Sequence, residues 1–350
     1  MSASRLGVGM GGNGGKRIGI KDVAEAAGVS ITTVSHALSG KGRLPESTRE
    51  RVRAVARELG YVPHPAARSL AIGRTGLIAT VVSAPANAAI AFTEIDYYVD
   101  LLNAATRTAL ERGSALVIAP STAGEETWGR LPLDGVIVID PADDDATIPM
   151  LRARSVPMVF VGRDRRGAGE DLVVQNDRRA ATVSVLDHLR AAGAGRPAVL
   201  SFRTAESFTE DCVEAYRTWC DANGVAPLVR TDDLAATASP HEVRALAEGF
   251  LDDPQPPDAV FCLYERLAVE LLPVARDRGV RVPQDLLVAT ISELGRARHA
   301  DPPITTLEVE QDTLGTVAAE LLCDVLDGAP ATSVLDVPTR LTVRASTERT

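Results

Sequence analysis

The run Ile31-Thr32-Thr33-Val34-Ser35-His36 sets three hydroxyls and an imidazole within six residues, with a branched apolar side chain leading. Hydroxyls and an imidazole match base edges and phosphate oxygens, and an apolar side chain fits a thymine methyl. Bond-making chemistry is poorly served by comparison. The histidines His36, His64, His188, His241 and His299 are scattered without a partnered carboxylate motif, and no nucleophile elbow, metal motif or phosphate loop is present. Cys212, Cys220, Cys262 and Cys323 lie far apart with no C-x-x-C, which reads as reduced, buried thiols. The acidic run Asp143-Asp144-Asp145 lacks the glycine and later glutamate of a calcium loop and reads as a solvated loop. A literal G-x-G-x-x-G at Gly7, Gly9 and Gly12 has no apolar strand ahead of it, so residues 1–17 read as a flexible tail. No catalytic group, metal or cofactor is expected.

Three helices must position the polar run. The first is expected over 21–27, closed by Gly28. Ser30 then stands as N-cap of a second over 31–38, and a third begins near Pro45. Val23, Ala27, Val29, Val34 and Leu38 would form the small core beneath the second helix. On the third helix Val52, Val55, Ala56 and Leu59 follow the i, i+3, i+4, i+7 rule, with Arg49, Arg51, Arg53 and Arg57 around them. A short helix, a glycine turn and a projecting second helix make a helix-turn-helix; from composition alone the alternative is a three-helix bundle with a solvated polar face.

Charge supports the first reading. The chain has a net charge of −10, yet residues 1–74 hold twelve Lys or Arg against five Asp or Glu, a net +7. The rest, with 25 basic and 42 acidic residues, is at −17. A small basic head on an acidic body directs the head, and not the body, towards phosphates.

Beyond residue 75 short apolar runs alternate with helical periods. Strands are expected over 77–82, 115–119, 135–139, 157–161, 198–201, 259–262 and 286–290, and helices over 98–112, 178–192, 209–223, 241–251 and 267–278. That alternation means α/β architecture with parallel sheets, and its length favours two lobes, with ligands at the carboxyl ends of the strands between them. No stretch of 18 apolar residues and no secretory signal is visible, so the expected compartment is the cytoplasm, with no membrane contact.

Residues 20–38, with Thr48-Arg49-Glu50-Arg51-Val52, Glu58-Leu59-Gly60-Tyr61-Val62-Pro63 and Ala67-Arg68-Ser69-Leu70 in order and spacing, resemble the DNA-binding region of the lactose/galactose repressor (LacI/GalR) family. A weaker similarity continues through Asp134-Gly135-Val136, residues 279–285 and Pro302-Pro303-Ile304-Thr305-Thr306-Leu307. The resemblance implies a helix-turn-helix domain over 18–63, a hinge helix and linker over 64–74, and a two-lobed, periplasmic-binding-protein-like body over 75–350 that dimerises and binds a small-molecule effector. It implies a homodimer on a pseudo-palindromic double-stranded DNA operator. Ile31, Thr32 and His36 match positions that choose bases, and Thr33 and Ser35 match positions near phosphates. Arg68, Ser69 and Leu70 match the hinge, with Leu70 the residue wedged into the central base step; Ala71 stands where many relatives carry a basic residue.

In the body, Tyr97 and Tyr98 match an aromatic lining of the effector pocket, or else pack a helix N-terminus. Ser207 and Thr209 fall near the position of a ligand-binding arginine in relatives, and Ser292, followed by Glu293, falls at that of an aspartate. Neither charged anchor is in place, so Arg203, Glu206, Glu265 or Glu293 substitutes, or the pocket is degenerate and the repressor constitutive. Only a short segment separates Ala119 from Asp134, so one helix of the first lobe is expected to be short or absent. Two rivals from other classes, an enzyme with an accessory DNA-binding head and an exported solute-binding protein, lack respectively a catalytic motif and a signal sequence.

Overall fold

The computed structural model describes residues 18–39, 42–61, 73–83, 96–119, 123–143, 145–167, 169–202, 207–232, 238–253, 255–291 and 295–349. The chain divides into two compact units, residues 1–75 and 76–350. The expected hinge helix, with Arg68, Ser69, Leu70 and Ala71, and the tail over 1–17 lie outside the described residues.

In the first unit α1 (Ile20–Ala27), α2 (Ile31–Ser39) and α3 (Glu46–Glu58) enclose one cluster of side chains. Val23, Ala24, Ala27, Val34, Ala37, Val52 and Ala56 are buried, while Val29, Leu38 and Val55 are half-buried around them. The expected core omitted Ala24 and Ala37, whose small side chains let the helices approach, and it included Leu59. Leu59 follows the last turn of α3 as its C-cap and is 36% exposed. Gly28 closes α1 with φ +64°, a conformation that costs a side-chain-bearing residue free energy.

In the second unit two six-stranded sheets are laid down in turn. The first sheet has the order β11-β5-β4-β3-β1-β2, built from β1 (Leu77–Val82), β2 (Ala115–Ile118), β3 (Gly135–Ile139), β4 (Met158–Val161), β5 (Leu172–Gln175) and β11 (Val334–Asp336), all parallel. The second has the order β12-β10-β9-β8-β6-β7, built from β6 (Pro197–Phe202), β7 (Val229–Asp232), β8 (Ala259–Cys262), β9 (Leu287–Ile291), β10 (Thr305–Glu308) and β12 (Arg340–Thr342). Only β12 is antiparallel to its neighbour. Central strands such as β3 and β9 are buried at every residue, as parallel strands covered by helices on both faces must be. The α/β, two-lobed expectation therefore holds. Strands β5, β7, β10, β11 and β12 had no counterpart among the expected strands, being short and without a clean alternation.

The covering helices are α4 (Asp96–Glu111), α5 (Gly124–Arg130), α6 (Thr147–Ala153), α7 (Arg178–Ala191), α8 (Ser207–Asn223), α9 (Pro240–Leu251), α10 (Glu265–Asp277) and α11 (Gln311–Leu326). Helix α5 has seven residues, the short helix expected between Ala119 and Asp134. Helix α11 follows β10 of the second lobe but packs in the first, against α4, β3, β4 and β5. Gly315 permits that packing: a Cβ there would sit 2.2 Å from the Leu101 carbonyl oxygen. The chain crosses between lobes after β5, β10 and β11, and Asn176 ties the crossings together. Its side-chain amide donates to Val309 O at 3.2 Å and Val337 O at 2.9 Å.

Candidate nucleic-acid interface and inter-lobe crevice

Helix α2 owes its placement to its ends and its buried side. Ser30 caps it as expected, its Oγ accepting from the Thr33 N–H at 3.1 Å, which satisfies one of the free donors of the first turn. Val34 and Ala37 are fully buried against α1 and α3. The opposite side therefore faces out: Ile31 is 44% exposed, Thr32 is exposed, and Thr33, Ser35 and His36 are half-buried. The Thr33 hydroxyl lies 2.8 Å from Ser30 Oγ, so it helps to hold the cap as well as presenting an oxygen to a partner. Exposed Arg51, Arg53 and Arg57 project from α3. Arg49, 13% exposed, and Arg53 each lie 3.8 Å from the Glu46 carboxylate, loose surface pairs of small energetic weight. An exposed branched side chain beside hydroxyls and an imidazole, flanked by guanidiniums, can read base edges while neutralising phosphates.

In the body the sequence-predicted residues meet only in part. Tyr97 and Tyr98 open α4 with ring centroids 5.1 Å apart, edge to face. Tyr98 is buried in the first lobe's core, whereas Tyr97 is half-buried and packs against the cores of both lobes. Ser207 and Thr209 open α8 and are both buried, and Thr209 Oγ1 lies 3.1 Å from the Tyr264 hydroxyl. Ser292, Glu293, Arg203 and Glu206 lie outside the described residues. Glu265 is fully buried and accepts from the Ala297 N–H, so it fastens the turn Ala297–His299 to α10. That bond engages one oxygen of the carboxylate expected as a substitute anchor.

The charged groups that face across the lobes were not picked out from sequence. Asp140 ends β3 with φ +48°, a left-handed conformation rare for a residue with a side chain and frequent at functional sites. Burial pushes its carboxyl pKa up, opposed by the charge of Arg178 and by a hydrogen bond from Tyr98. Arg178 opens α7 in the second lobe, its guanidinium 4.5 Å from the centre of the Phe208 ring. Phe208 in turn packs edge-on to Tyr264 at 5.8 Å, and Tyr264 lies 5.1 Å from Phe202. An aspartate, an arginine and a bank of aromatic rings thus converge at the carboxyl ends of β3, β6 and β8. Such a set can hold a ring by stacking and orient its polar groups by charge-assisted hydrogen bonds.

Beside them, Arg163 pairs with Asp211 at 2.6 Å, and Arg165 is bonded to Asp143 of its own lobe and to Glu210 of the other. The Arg165 guanidinium holds the Asp143 carboxyl below its usual range. Asp143 and Asp145 of the acidic run are accordingly held by partners, where a solvated loop was expected. Asp145 is buried, accepts from Ser83 Oγ at 2.6 Å and from the Thr147 N–H at 2.7 Å, and so fixes the start of α6 to the end of β1. Among the described residues no group of three or more His, Cys, Asp or Glu side chains could hold a metal ion, and no helix is long and apolar enough to cross a membrane.

Comparison with known proteins bears on both regions. Residues 19–64 match the family described as bacterial regulatory proteins, lacI family, and residues 186–347 match the periplasmic binding protein-like domain. The HTH-type transcriptional regulator CelR of Thermobifida fusca is 31% identical over 343 residues, 95% of this chain and 98% of the relative. Among solved structures, a complex of the transcriptional regulator CelR with cellobiose superposes with TM-score 0.70 and 28% identity, covering 94% of this chain and all of that one. The lac repressor dimer bound to operator and the anti-inducer ONPF superposes with TM-score 0.75, covering 95% of this chain and 99% of that one, a likeness of fold at 22% identity.

Proposed function

Because the chain belongs to the lacI family of bacterial regulatory proteins, and so is a DNA-binding transcriptional regulator, we propose that it works as a cytoplasmic homodimeric repressor on a pseudo-palindromic operator. In this reading Ile31, Thr32 and His36 meet base edges, and Thr33 and Ser35 meet phosphates. Residues 64–74 form the hinge, with Arg68 and Ser69 near the minor groove and Leu70 wedged at the central step. The domain limits are those inferred from sequence, 18–63 for the reading head and 75–350 for the body. The observation that carries the proposal is the capped helix α2, buried through Val34 and Ala37 and open on its Ile31–Thr32 side, on a basic head. Relatives of this kind are regulators and not enzymes.

The effector would enter the crevice at the strand ends, with Tyr97, Phe208 and Tyr264 supplying ring surface and Arg178 and Asp140 the charged anchors. Ser207, Thr209 and Tyr98 would line it from buried positions, and Ser292 and Glu293 complete the proposed set. A ligand changes operator affinity only as far as it prefers one arrangement of the lobes. The pairs Arg163–Asp211 and Arg165–Glu210 already join the lobes, which favours a second reading in which the closed state needs no ligand and repression is constitutive.

Selection of bound duplexes from a random library tests the first part: an inverted repeat is expected, and recovery of unrelated sequences would refute operator reading. Replacing Arg163 and Arg165 together by glutamine separates the other two readings. Under ligand control the variant, having lost contacts of the closed state, changes operator affinity in the direction opposite to effector. Under constitutive closure its affinity alone changes, while sugars, nucleosides and amino acids at 100 times a plausible Kd fail to add the stabilisation of about 2.7 kcal/mol that true binding gives.

A further inference from the structure

The two ends of α2 are held by different means. Its N-terminus carries its own cap, Ser30. Its C-terminus, where the last four carbonyls have no partner within the helix, is held from another element. The Arg49 side chain, 13% exposed, reaches from α3 and donates to His36 O at 3.4 Å and to Gly42 O at 2.6 Å. One guanidinium thus joins the end of the reading helix to the loop that follows it.

The same loop touches the His36 side chain. Gly42 has φ +77°, and a Cβ built on it would lie 2.7 Å from His36 Nδ1 and 3.2 Å from its Cγ. The imidazole therefore rests on the bare Cα of Gly42. Any side chain at residue 42 would displace the ring and would also be strained at that φ.

We infer that Arg49 and Gly42 are positioning residues for DNA reading: Arg49 fixes the backbone at His36 against residue 42, and the absent side chain of Gly42 sets the angle at which the imidazole meets a base. The inference rests on His36 reading a base, as proposed above. It makes sequence preference at one step of each half-site depend on two residues that touch no base. A planar ring forms a directional hydrogen bond only within a narrow range of orientations, so turning it costs preference before it costs overall affinity.

The test measures binding of the full-length protein to a library built on its selected site, for wild type, His36→Ala, Gly42→Ala, Arg49→Ala, Arg49→Lys and the double variant His36→Ala/Gly42→Ala. His36→Ala is expected to flatten preference at one step by about tenfold. Gly42→Ala and Arg49→Ala should flatten the same step, and Gly42→Ala should add nothing once His36 is absent. Arg49→Lys keeps the charge but not the two-carbonyl fork, so it should behave like Arg49→Ala.

A uniform loss across all sites, with the slope of log affinity against log salt reduced by about one and Arg49→Lys resembling wild type, would make Arg49 a phosphate contact and overturn the inference. Lower melting temperature with unchanged preference would make both residues merely structural and would overturn it equally. Should Gly42→Ala fail to fold, the Arg49 pair decides alone. Preference unchanged by His36→Ala would refute His36 as a reader, an outcome distinct from one in which His36 matters and Gly42 and Arg49 do not.

Discussion

The reading face of α2 and the inter-lobe crevice are built on opposite plans. The first is made from neighbours in the chain: Ile31, Thr32, Thr33, Ser35 and His36 share one helix, and one helical turn decides which of them look outward. The second draws Tyr97, Asp140, Arg178, Phe208 and Tyr264 from three helices and two strand ends spread over some 170 residues, brought together by two sheets and three crossings. A face of the first kind rests on a very small core, so a single loss in that core should be severe. A site of the second kind is shared among many contacts, so single losses should be moderate.

Val34→Asp presses hardest on this contrast. It places a carboxylate in the fully buried centre of a very small core, at a cost of about 3 kcal/mol or more. DNA binding should be abolished while the main calorimetric transition of the body persists; retained binding would mean that the head tolerates more than its size implies.

Arg178→Ala should be milder. It removes the charge that offsets the cost of burying the Asp140 carboxylate, and the cation over Phe208, in a site that keeps some solvent, for about 1–2 kcal/mol in urea unfolding. A change under about 0.3 kcal/mol would show that solvent already supports Asp140, and the crevice would then resemble open surface.

Ser30→Ala removes the cap of α2 and should cost about 1 kcal/mol of head stability. Operator and non-specific DNA should weaken alike, because the cap orients the whole helix and selects no base. A loss confined to one operator position would assign Ser30 to the reading face instead.

The smallest effect is a control away from both regions. His188 on α7 lies 2.8 Å from Thr347 Oγ1, and burial lowers its pKa, partly offset by Glu348. The unfolded chain then takes up a proton near pH 6.5 before the folded one does, so the contribution is present above pH 6.5 and lost as the pH falls below it. Thermal melts between pH 7.5 and pH 5 should show that loss shrinking in His188→Gln, with DNA preference unaltered.

The residues that could be recognised in advance follow the same division. The Ser30 cap and the α2 face act within one or two turns of each other, and the Val23–Ala27–Val34 core joins helices only a short turn apart in the chain, so local spacing encodes such contacts directly. The body's strong strands could be read because a buried parallel strand is an apolar run, as in Gly135–Ile139. Helix α11 escaped because its buried residues, from Leu314 to Cys323, spread over much of its circumference where it sits between α4 and the first sheet. Asp145 and Glu265 carried no local mark of burial. Their partners, Ser83 and Ala297, are far away in sequence, and only the folded chain brings an acceptor to those donors.

From residue order alone followed the α/β body, its basic helical head, the side of α2 that looks out and the family to which the chain is similar. All of these rest on interactions of short range or on composition. The three-dimensional arrangement was needed to put Asp140 opposite Arg178, to join Arg163 and Arg165 to α8 and to lay His36 on Gly42. Each of these turns on how separate segments cross and on which atoms lose water together, and periodicity along a chain carries no record of either.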